Sequence, residues 1–591
     1  NLNKMSKKNI IVGMCTLSEF RDKKGVFIDK TEFISELENN AGTSVPIFLR
    51  PRRFGKTLTA NMLHSYYDIS EKENFEKNFK GTWIYNNKTP LASSYYVLHF
   101  DFSYVNSDPK GVGRSFLIAV RDGIASFSAK YPELGLPKDQ LDISLYENAS
   151  EIMSAFLSNF SMNVEKDRYL YVIIDEYDYF AYEILTRDKE AFKNITSTYE
   201  GHEGLIKQFY AQLKAHYRGN GRGSIDRFFI TGVTSITLNS VTSGFNIAKD
   251  ISSNLFFKYM AGFTPAELSE LIDETVDFAE LDGISKEQIT QIMEDAYDGY
   301  VFNEKADVKL FNSNLCLTYI SDLITEGELP DVNNISLNDD IGIINGMLSL
   351  ADIDTREEII LKMFNKEPIV SNITAKLNLN SSNQFNRPQI VSLLYHLGYL
   401  TIDPEATKKK RITAFVIPNK VYENLFFDYF RSYIGYRADD YEDLSSMYEE
   451  SADLSEFLKI ITYQIENKLN PQSLGRFSEM ALQLIIDRII NNSLGRYLKS
   501  YLEFYTGNGY ADVLVVNNYP GGHDFLLELK YLRKKDDTKS NVEKKIAEAE
   551  AEIKKYKRGS VLKKKIGKRK LDCYAMVFAG SECRKCVEIQ G

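Results

Sequence analysis

Apolar residues in the first 265 positions fall into short dense runs separated by helical stretches. Residues 45–49, 96–100, 170–174 and 228–231 are four or five residues long and rich in β-branched and aromatic side chains. Runs of this kind belong to strands covered on both faces, and strands alternating with helices predict a mostly parallel sheet. From about 266 to 450 the apolar spacing turns helical. Thr264-Pro265-Ala266-Glu267 is a helix start, with proline just inside a threonine cap. Residues 389–397 read as a helix followed by two short strands, 398–402 and 414–417, with Lys408, Lys409, Lys410 and Arg411 in the turn between them. That is the outline of a winged helix. Its charged tip is either a DNA contact or, more plainly, a solvated hairpin on a packing module or nucleotide lid. From about 451 a helical stretch leads into a hairpin and then a basic helix. The expected domains are 1–265, 266–450 and 451–591.

The chain has 591 residues, 43% hydrophobic and 26% charged, which excludes wholesale disorder, collagen and mucin. Lys and Arg number 72 against 82 Asp and Glu, a net charge of −10. A uniformly basic, histone-like coat is excluded, and any nucleic-acid contact is confined to a local patch. No apolar run reaches the roughly 18 residues that cross a bilayer. The short stretch at 9–17 is followed at once by Glu19, Arg21 and Asp22, so neither a membrane span nor a signal peptide is expected. Five cysteines make no disulfide framework, and a cytoplasmic, reducing setting fits. Cys583-x-x-Cys586 lacks the second ligand pair that a zinc site needs. The 37 Tyr and 36 Phe are read as core rather than as a stacking surface.

The first candidate chemistry follows the strand at 45–49. Arg50-Pro51-Arg52-Arg53-Phe54-Gly55-Lys56-Thr57 leads into a helix. Glycine lets backbone N–H groups approach phosphates, lysine reaches the β- and γ-phosphates, and the threonine hydroxyl is placed to ligate Mg²⁺ at a helix N-terminus. The full phosphate-loop pattern wants glycine five residues before Gly55, and Arg50 stands there. A second element supports the reading. The run 170–174 closes on Asp175 and Glu176, a buried strand delivering two carboxylates at its tip. Asp175 is expected to hold Mg²⁺ through water and Glu176 to polarise an attacking water. Arg52 and Arg53 are either extra donors to phosphates or surface charge. Thr231, at the end of a third strand, is the candidate γ-phosphate sensor.

These residues, with Thr231-Gly232-Val233-Thr234-Ser235 and Ser243-Gly244-Phe245-Asn246, resemble the AAA-ATPase-like family, over about residues 15–265. That family's own loop carries arginine where the first glycine is expected. The resemblance extends through Asp298-Gly299-Tyr300-Val301-Phe302, Leu397-Gly398-Tyr399-Leu400-Thr401 and Ile417-Pro418-Asn419. It implies ATP as ligand, and often a nuclease-like domain at the C-terminus.

The tail carries a second constellation. Residues 509–516 and 524–531 read as two strands joined by a turn containing Pro520-Gly521-Gly522. Centring that turn at residue 520 sets Asp512 directly opposite Glu528, with Cβ atoms roughly 5 Å apart. Glu528 and Lys530 share a face. Two carboxylates that close repel unless a cation lies between them, and Mg²⁺ suits such a pair. The plainer alternative is a strand decorated with Glu and Lys beside a cross-strand acid. Asp512 followed by Glu528-x-Lys530 resembles the PD-(D/E)xK nuclease superfamily, over about 455–591. The resemblance implies Asp512 and Glu528 as metal ligands, Lys530 orienting or deprotonating water, and a glutamate on the preceding helix, which Glu479 matches. It also implies Gln-x-x-x-Tyr on the following helix, where this chain has Glu552 before Tyr556. Residues 531–570 hold sixteen Lys and Arg against six acids, enough to neutralise a nucleic-acid backbone locally.

The expected fold is α/β: a P-loop NTPase parallel sheet with a helical, winged-helix-like lid, followed by a restriction-endonuclease-like α/β domain. The expected function is ATP binding coupled to metal-dependent action on nucleic acid, DNA ahead of RNA. The alternative is an ATP-switched effector whose C-terminal domain binds a partner without cutting. A homo-oligomer is compatible with either.

Overall fold

The computed structural model describes residues 7–11, 17–196, 204–220, 223–237, 245–281, 283–330, 338–364, 366–374, 377, 384–433, 458–459, 461–462, 465, 479–494, 498–518, 522–580 and 582–589. Ser243, Gly244, Pro520 and Gly521 of the motifs above lie outside these residues. The chain divides into two compact units, Asn1–Arg356 with Pro368–Leu425, and Glu357–Glu367 with Phe426–Gly591.

The first unit is built on five strands: β1 (Pro46–Leu49), β2 (Tyr96–Asp101), β3 (Leu170–Asp175), β4 (Ile225–Gly232) and β5 (Lys249–Asp250). Their order is β2-β3-β4-β1-β5, and every pairing is parallel. β1 and β3 are buried along their whole length, as their unbroken apolar runs require. β4 lies between the strand that enters the phosphate loop and the strand that ends in Asp175. All these C-terminal ends therefore open on one edge, where ligands of open α/β sheets bind. Helix α1 (Lys56–Tyr67) follows the loop.

Helix α2 (Pro265–Thr275) starts with the expected cap. The Thr264 N–H donates to Glu267 Oε2 at 2.8 Å, and the Glu267 N–H donates to Thr264 Oγ1 at 3.3 Å. That reciprocal pair satisfies two otherwise orphaned donors. Further on, α3 (Ser313–Glu326) is capped by Asn312, and α4 (Arg387–His396) by Asn386. The ribbon expected after α4 is a three-stranded sheet of β6 (Ile369–Val370), β8 (Ala414–Val416) and β7 (Thr401–Ile402), in that order. The turn expected at Lys408–Arg411 is a helix, α5 (Pro404–Lys410). Asp403 caps it through the Ala406 N–H at 2.9 Å, Pro404 occupies the first turn, and Arg411 ends it at φ 58°. A cap followed by proline is a helix start, and here it outweighs the hairpin.

The second unit holds a five-stranded sheet in the order β13-β12-β11-β10-β9. Its strands are β9 (Leu498–Tyr505), β10 (Tyr510–Asn517), β11 (Asp524–Leu532), β12 (Leu571–Ala579) and β13 (Glu582–Glu588). β11 and β12 are parallel and the other pairs antiparallel. Helix α6 (Glu479–Leu494) covers one face through Ile485, Ile486 and Ile489 against Val513, Val515, Leu527 and Leu529. Helix α7 (Lys539–Tyr556) covers the other through Ile546, Ala549 and Ile553 against Leu514 and Leu526. Strand β9 stands between α6 and the hairpin, where only helix was expected. Among the described residues no helix is long and apolar enough to cross a membrane.

Candidate active sites

The loop after β1 keeps its glycine where the backbone demands one. Gly55 has φ 88° and caps α1 in the left-handed region, which side chains with a Cβ avoid. Arg53 also takes positive φ, at 70°. The loop is held from outside by α3. Asn312 Nδ2 donates to the Arg52 carbonyl at 3.3 Å, Ser313 Oγ to the Arg53 carbonyl at 3.2 Å, and the Asn314 N–H to the same oxygen at 3.1 Å.

Arg50 turns away from the loop mouth. It is fully buried, donating to the carbonyls of Leu49, Ser252 and Phe257 at 2.8 to 3.0 Å. Its guanidinium lies 4.4 Å from the Phe48 ring centre and 4.2 Å from that of Phe302. The irregular position is thus a packing post. The later motifs gather beneath the same loop. Phe54 meets Tyr300 at 4.8 Å and Phe302 at 5.4 Å, edge to face. Tyr300 Oη donates to the Gly398 carbonyl at 3.2 Å. At Gly398, φ +86°, an added Cβ would stand 2.7 Å from Pro51 Cβ.

The polar residues of the first site converge at the strand ends. Lys56 Nζ lies 3.3 Å from Glu176 Oε1 and donates to the Pro51 carbonyl at 3.2 Å. Asp175 is 1% exposed. Burial pushes its carboxyl up to about 6, the neighbouring Glu176 charge adds to this, and a hydrogen bond from Thr57 and the Lys56 charge oppose it. Glu176 is held at φ 52°, its N–H donating to Asp175 Oδ1 at 3.0 Å. Thr231 is fully buried in β4, and its hydroxyl has no hydrogen-bond partner. Arg52 is half-buried over Tyr179 and Tyr182, at 5.8 and 5.7 Å, and Arg53 is exposed. Asp178, which sequence reasoning passed over, is buried and accepts the N–H groups of Val233 and Thr234 at 3.0 and 2.6 Å. It ties the end of β4 to the end of β3. A cavity of about 300 Å³ is lined by Lys56, Thr57 and Glu176 together with the apolar Phe20, Val26, Phe27 and Leu317.

In the second unit the hairpin register is the one expected. Val513 faces Leu527, and Leu514 faces Leu526, which carries Asp512 to Glu528. There the strands part. Asp512 Oδ2 accepts the Leu529 N–H at 2.6 Å, and Oδ1 accepts from Gln483 Nε2 at 2.7 Å. The same Gln483 nitrogen donates to Glu503 Oε1 at 3.1 Å. Glu479, first residue of α6, accepts the Tyr531 N–H at 3.2 Å. Lys530 Nζ is paired with Glu528 at 2.8 Å and with Glu552 at 2.7 Å. Glu479, Asp512, Glu528 and Lys530 thus share one locality, joined by Gln483, Glu503 and Glu552. Of these three, only Glu552 had a signal, its spacing to Tyr556.

The electrostatics of this locality are strained. Glu528 is 2% exposed and its Oε2 meets no basic or amide donor. Burial, then the Asp512 charge, then a hydrogen bond with Glu552, push its carboxyl up to about 9, with Lys530 opposing. Burial raises Asp512 to about 7, with Glu479 and Glu503 adding and the Leu529 amide and Lys530 opposing. Burial alone lowers Lys530, but Glu528 and Glu552 outweigh it and its pKa rises. Among the described residues no three His, Cys, Asp or Glu side chains are already arranged around one metal position. Two carboxylates with an orphaned oxygen nonetheless fit Mg²⁺, which usually takes one or two carboxylates and keeps several waters.

A parallel sheet with a glycine-lysine-threonine loop at its carboxyl edge, and a mixed sheet flanked by helices with an Asp, Glu, Lys cluster where two strands part, define two kinds of domain. Residues 11–242 match the family model described as Predicted AAA-ATPase, and residues 479–588 match that of the PD-(D/E)XK nuclease superfamily. The chain therefore joins an AAA-ATPase-like domain to a PD-(D/E)XK nuclease superfamily domain. No curated protein matches the chain.

Proposed function

We propose that the chain binds ATP at the Lys56 site and carries a metal-dependent phosphodiesterase for nucleic acid at the Asp512 site. At the first site Gly55, Lys56 and Thr57 take the phosphates, with Arg53 exposed beside them. Thr57 and Asp175 would hold Mg²⁺, which supplies charge to the phosphates. Glu176 orients water for hydrolysis, and Thr231, with its free buried hydroxyl, reads the terminal phosphate. The apolar side chains in the cavity lining suit a base.

At the second site Asp512 and Glu528 would hold Mg²⁺, which supplies positive charge at the scissile phosphate and a more acidic bound water. Lys530, its ammonium paired with Glu528 and Glu552, would orient the attacking water, and Glu479 adds a carboxylate at the rim. The carrying observation is the buried Asp512 and Glu528 pair, with Glu528 Oε2 meeting no basic or amide donor. Ionising both carboxyls costs more than the single Lys530 ammonium offsets, since both stay raised beside it. The basic stretch 531–570 supplies the phosphate-neutralising surface, with DNA as the first substrate to try. The test is nicking of plasmid and single-stranded DNA by the full chain in Mg²⁺ or Mn²⁺, with Asp512→Ala alongside. Cutting that persists in Asp512→Ala refutes the assignment.

A second reading, ATP-switched binding without cleavage, is favoured by one feature. Lys530 is tied to two carboxylates at 2.8 and 2.7 Å, which restrains it as a proton acceptor. Retained DNA binding with no cutting in either metal would decide for it.

A further inference from the structure

We propose that Tyr505 and Tyr510 form a stacking platform for an unpaired nucleobase beside Asp512, so that the substrate of the second site is single-stranded nucleic acid. The inference rests on the nuclease reading above.

Most tyrosines of the described residues are in the core, but Tyr505 and Tyr510 are 49% and 59% exposed. They are cross-strand partners at the end of β9 and β10, with ring centres 5.2 Å apart and planes inclined by 47°. Asp512 is two residues along the same strand from Tyr510, about 7 Å by strand rise. That is a step comparable to one nucleotide of an extended strand. A phosphate at Asp512 therefore leaves its neighbouring base within reach of the rings.

The turn that carries the two rings is tied down. The turn at 506–509 is closed by the Thr506 N–H and hydroxyl, both donating to the Gly509 carbonyl at 2.9 and 2.8 Å. It is pinned from below by the Leu562 N–H on the Thr506 carbonyl at 3.0 Å. Gly559 beneath it has no room for a Cβ, which would stand 2.0 Å from the Thr506 oxygen. Rings carried on a held backbone have less freedom to lose when a base settles on them. Charge lies alongside. A Cβ on Gly509 would stand 3.6 Å from Lys555 Nζ, and Lys555 and Arg558 are exposed. Stacking rings beside free cations are how proteins hold single strands without reading sequence. In a duplex the base faces are covered by their neighbours and are closed to such rings.

The test uses the full chain made cleavage-deficient by Asp512→Asn, with fluorescein-labelled oligo-dT and a blunt duplex of equal length, read by anisotropy. Tyr505→Ala with Tyr510→Ala is expected to weaken oligo-dT binding by roughly 5- to 150-fold per stacked base and to leave duplex binding within about twofold. Tyr510→Trp is expected to restore oligo-dT binding, with its fluorescence quenched on binding. Unchanged oligo-dT affinity in the double variant, or an equal loss for the duplex, overturns the platform. Cleavage with Asp512 intact is scored separately. Metal-dependent cutting together with unchanged binding overturns the platform alone. A chain that cuts nothing in Mg²⁺ or Mn²⁺, yet loses oligo-dT binding on alanine substitution, supports the platform and overturns only the nuclease reading.

Discussion

Glu528→Gln should stabilise the metal-free protein, although it removes a residue from the proposed active site. The folded carboxyl is pushed up to about 9 from an ordinary 4.5. Below pH 4.5 both folded and unfolded states are protonated and the group costs nothing. As pH rises from 4.5 toward 9 the unfolded chain releases the proton first, so stability falls through this window. At pH 7 the loss reaches about 3 kcal/mol, at 1.36 kcal/mol per pH unit. Glutamine reproduces the neutral acid in shape and still accepts from Lys530, which keeps Glu552 at 2.7 Å. The net gain is about 1–3 kcal/mol, or about 2–10 °C in the melting of this unit. Melting of the full chain by circular dichroism, in chelator, at steps from pH 5 to pH 9, measures it. The advantage of the variant should grow with pH. Added Mg²⁺ should raise the melting temperature of the parent more at high pH than at low, because binding requires the proton to leave, and should do little for Glu528→Gln. A variant less stable than the parent at pH 8 in chelator would refute the reasoning.

Other substitutions separate the roles. Lys56→Ala should weaken nucleotide binding by about 10-fold or more, as loss of a charge-assisted contact does, with oligonucleotide binding unchanged; calorimetry with a non-hydrolysable ATP analogue decides. Asp512→Ala should abolish metal-dependent cutting while nucleotide affinity stays within error, which the same two assays check. Arg50→Gly restores the common loop pattern, yet should destabilise the first unit by about 3–5 kcal/mol, since three hydrogen bonds and two ring contacts are lost in a buried site. Tighter nucleotide binding in that variant would contradict the packing role. Gly398→Ala should cost at least about 1 kcal/mol from its positive φ alone, and should lower nucleotide affinity through Pro51; urea unfolding and the calorimetry above read the two effects.

Local chemistry along the chain determined much of this. Dense apolar runs marked β1 to β4, because a strand covered on both faces has little polar side to show. Gly55-Lys56-Thr57 and Asp175-Glu176 were legible because phosphate chemistry restricts residue types within a few positions. The Asp512 and Glu528 pairing followed from the turn centre, because cross-strand partners are fixed once a hairpin's midpoint is known. The helix at Pro404–Lys410 was also written locally, in Asp403-Pro404, and was obscured by the strands around it. Strand β9 was hidden for another reason: Glu503 sits at φ 47°, and such a kink interrupts the two-residue alternation by which strands are recognised. Only the tertiary structure decided the rest. Arg50 acquires its meaning from Ser252, Phe257 and Phe302, and Asp512 from Gln483 and Leu529. Exposure likewise distinguishes Tyr505 and Tyr510 from the buried tyrosines. Burial, pKa and the cost of an unpaired charge depend on neighbours drawn from distant parts of the chain, and no residue's own sequence window contains them.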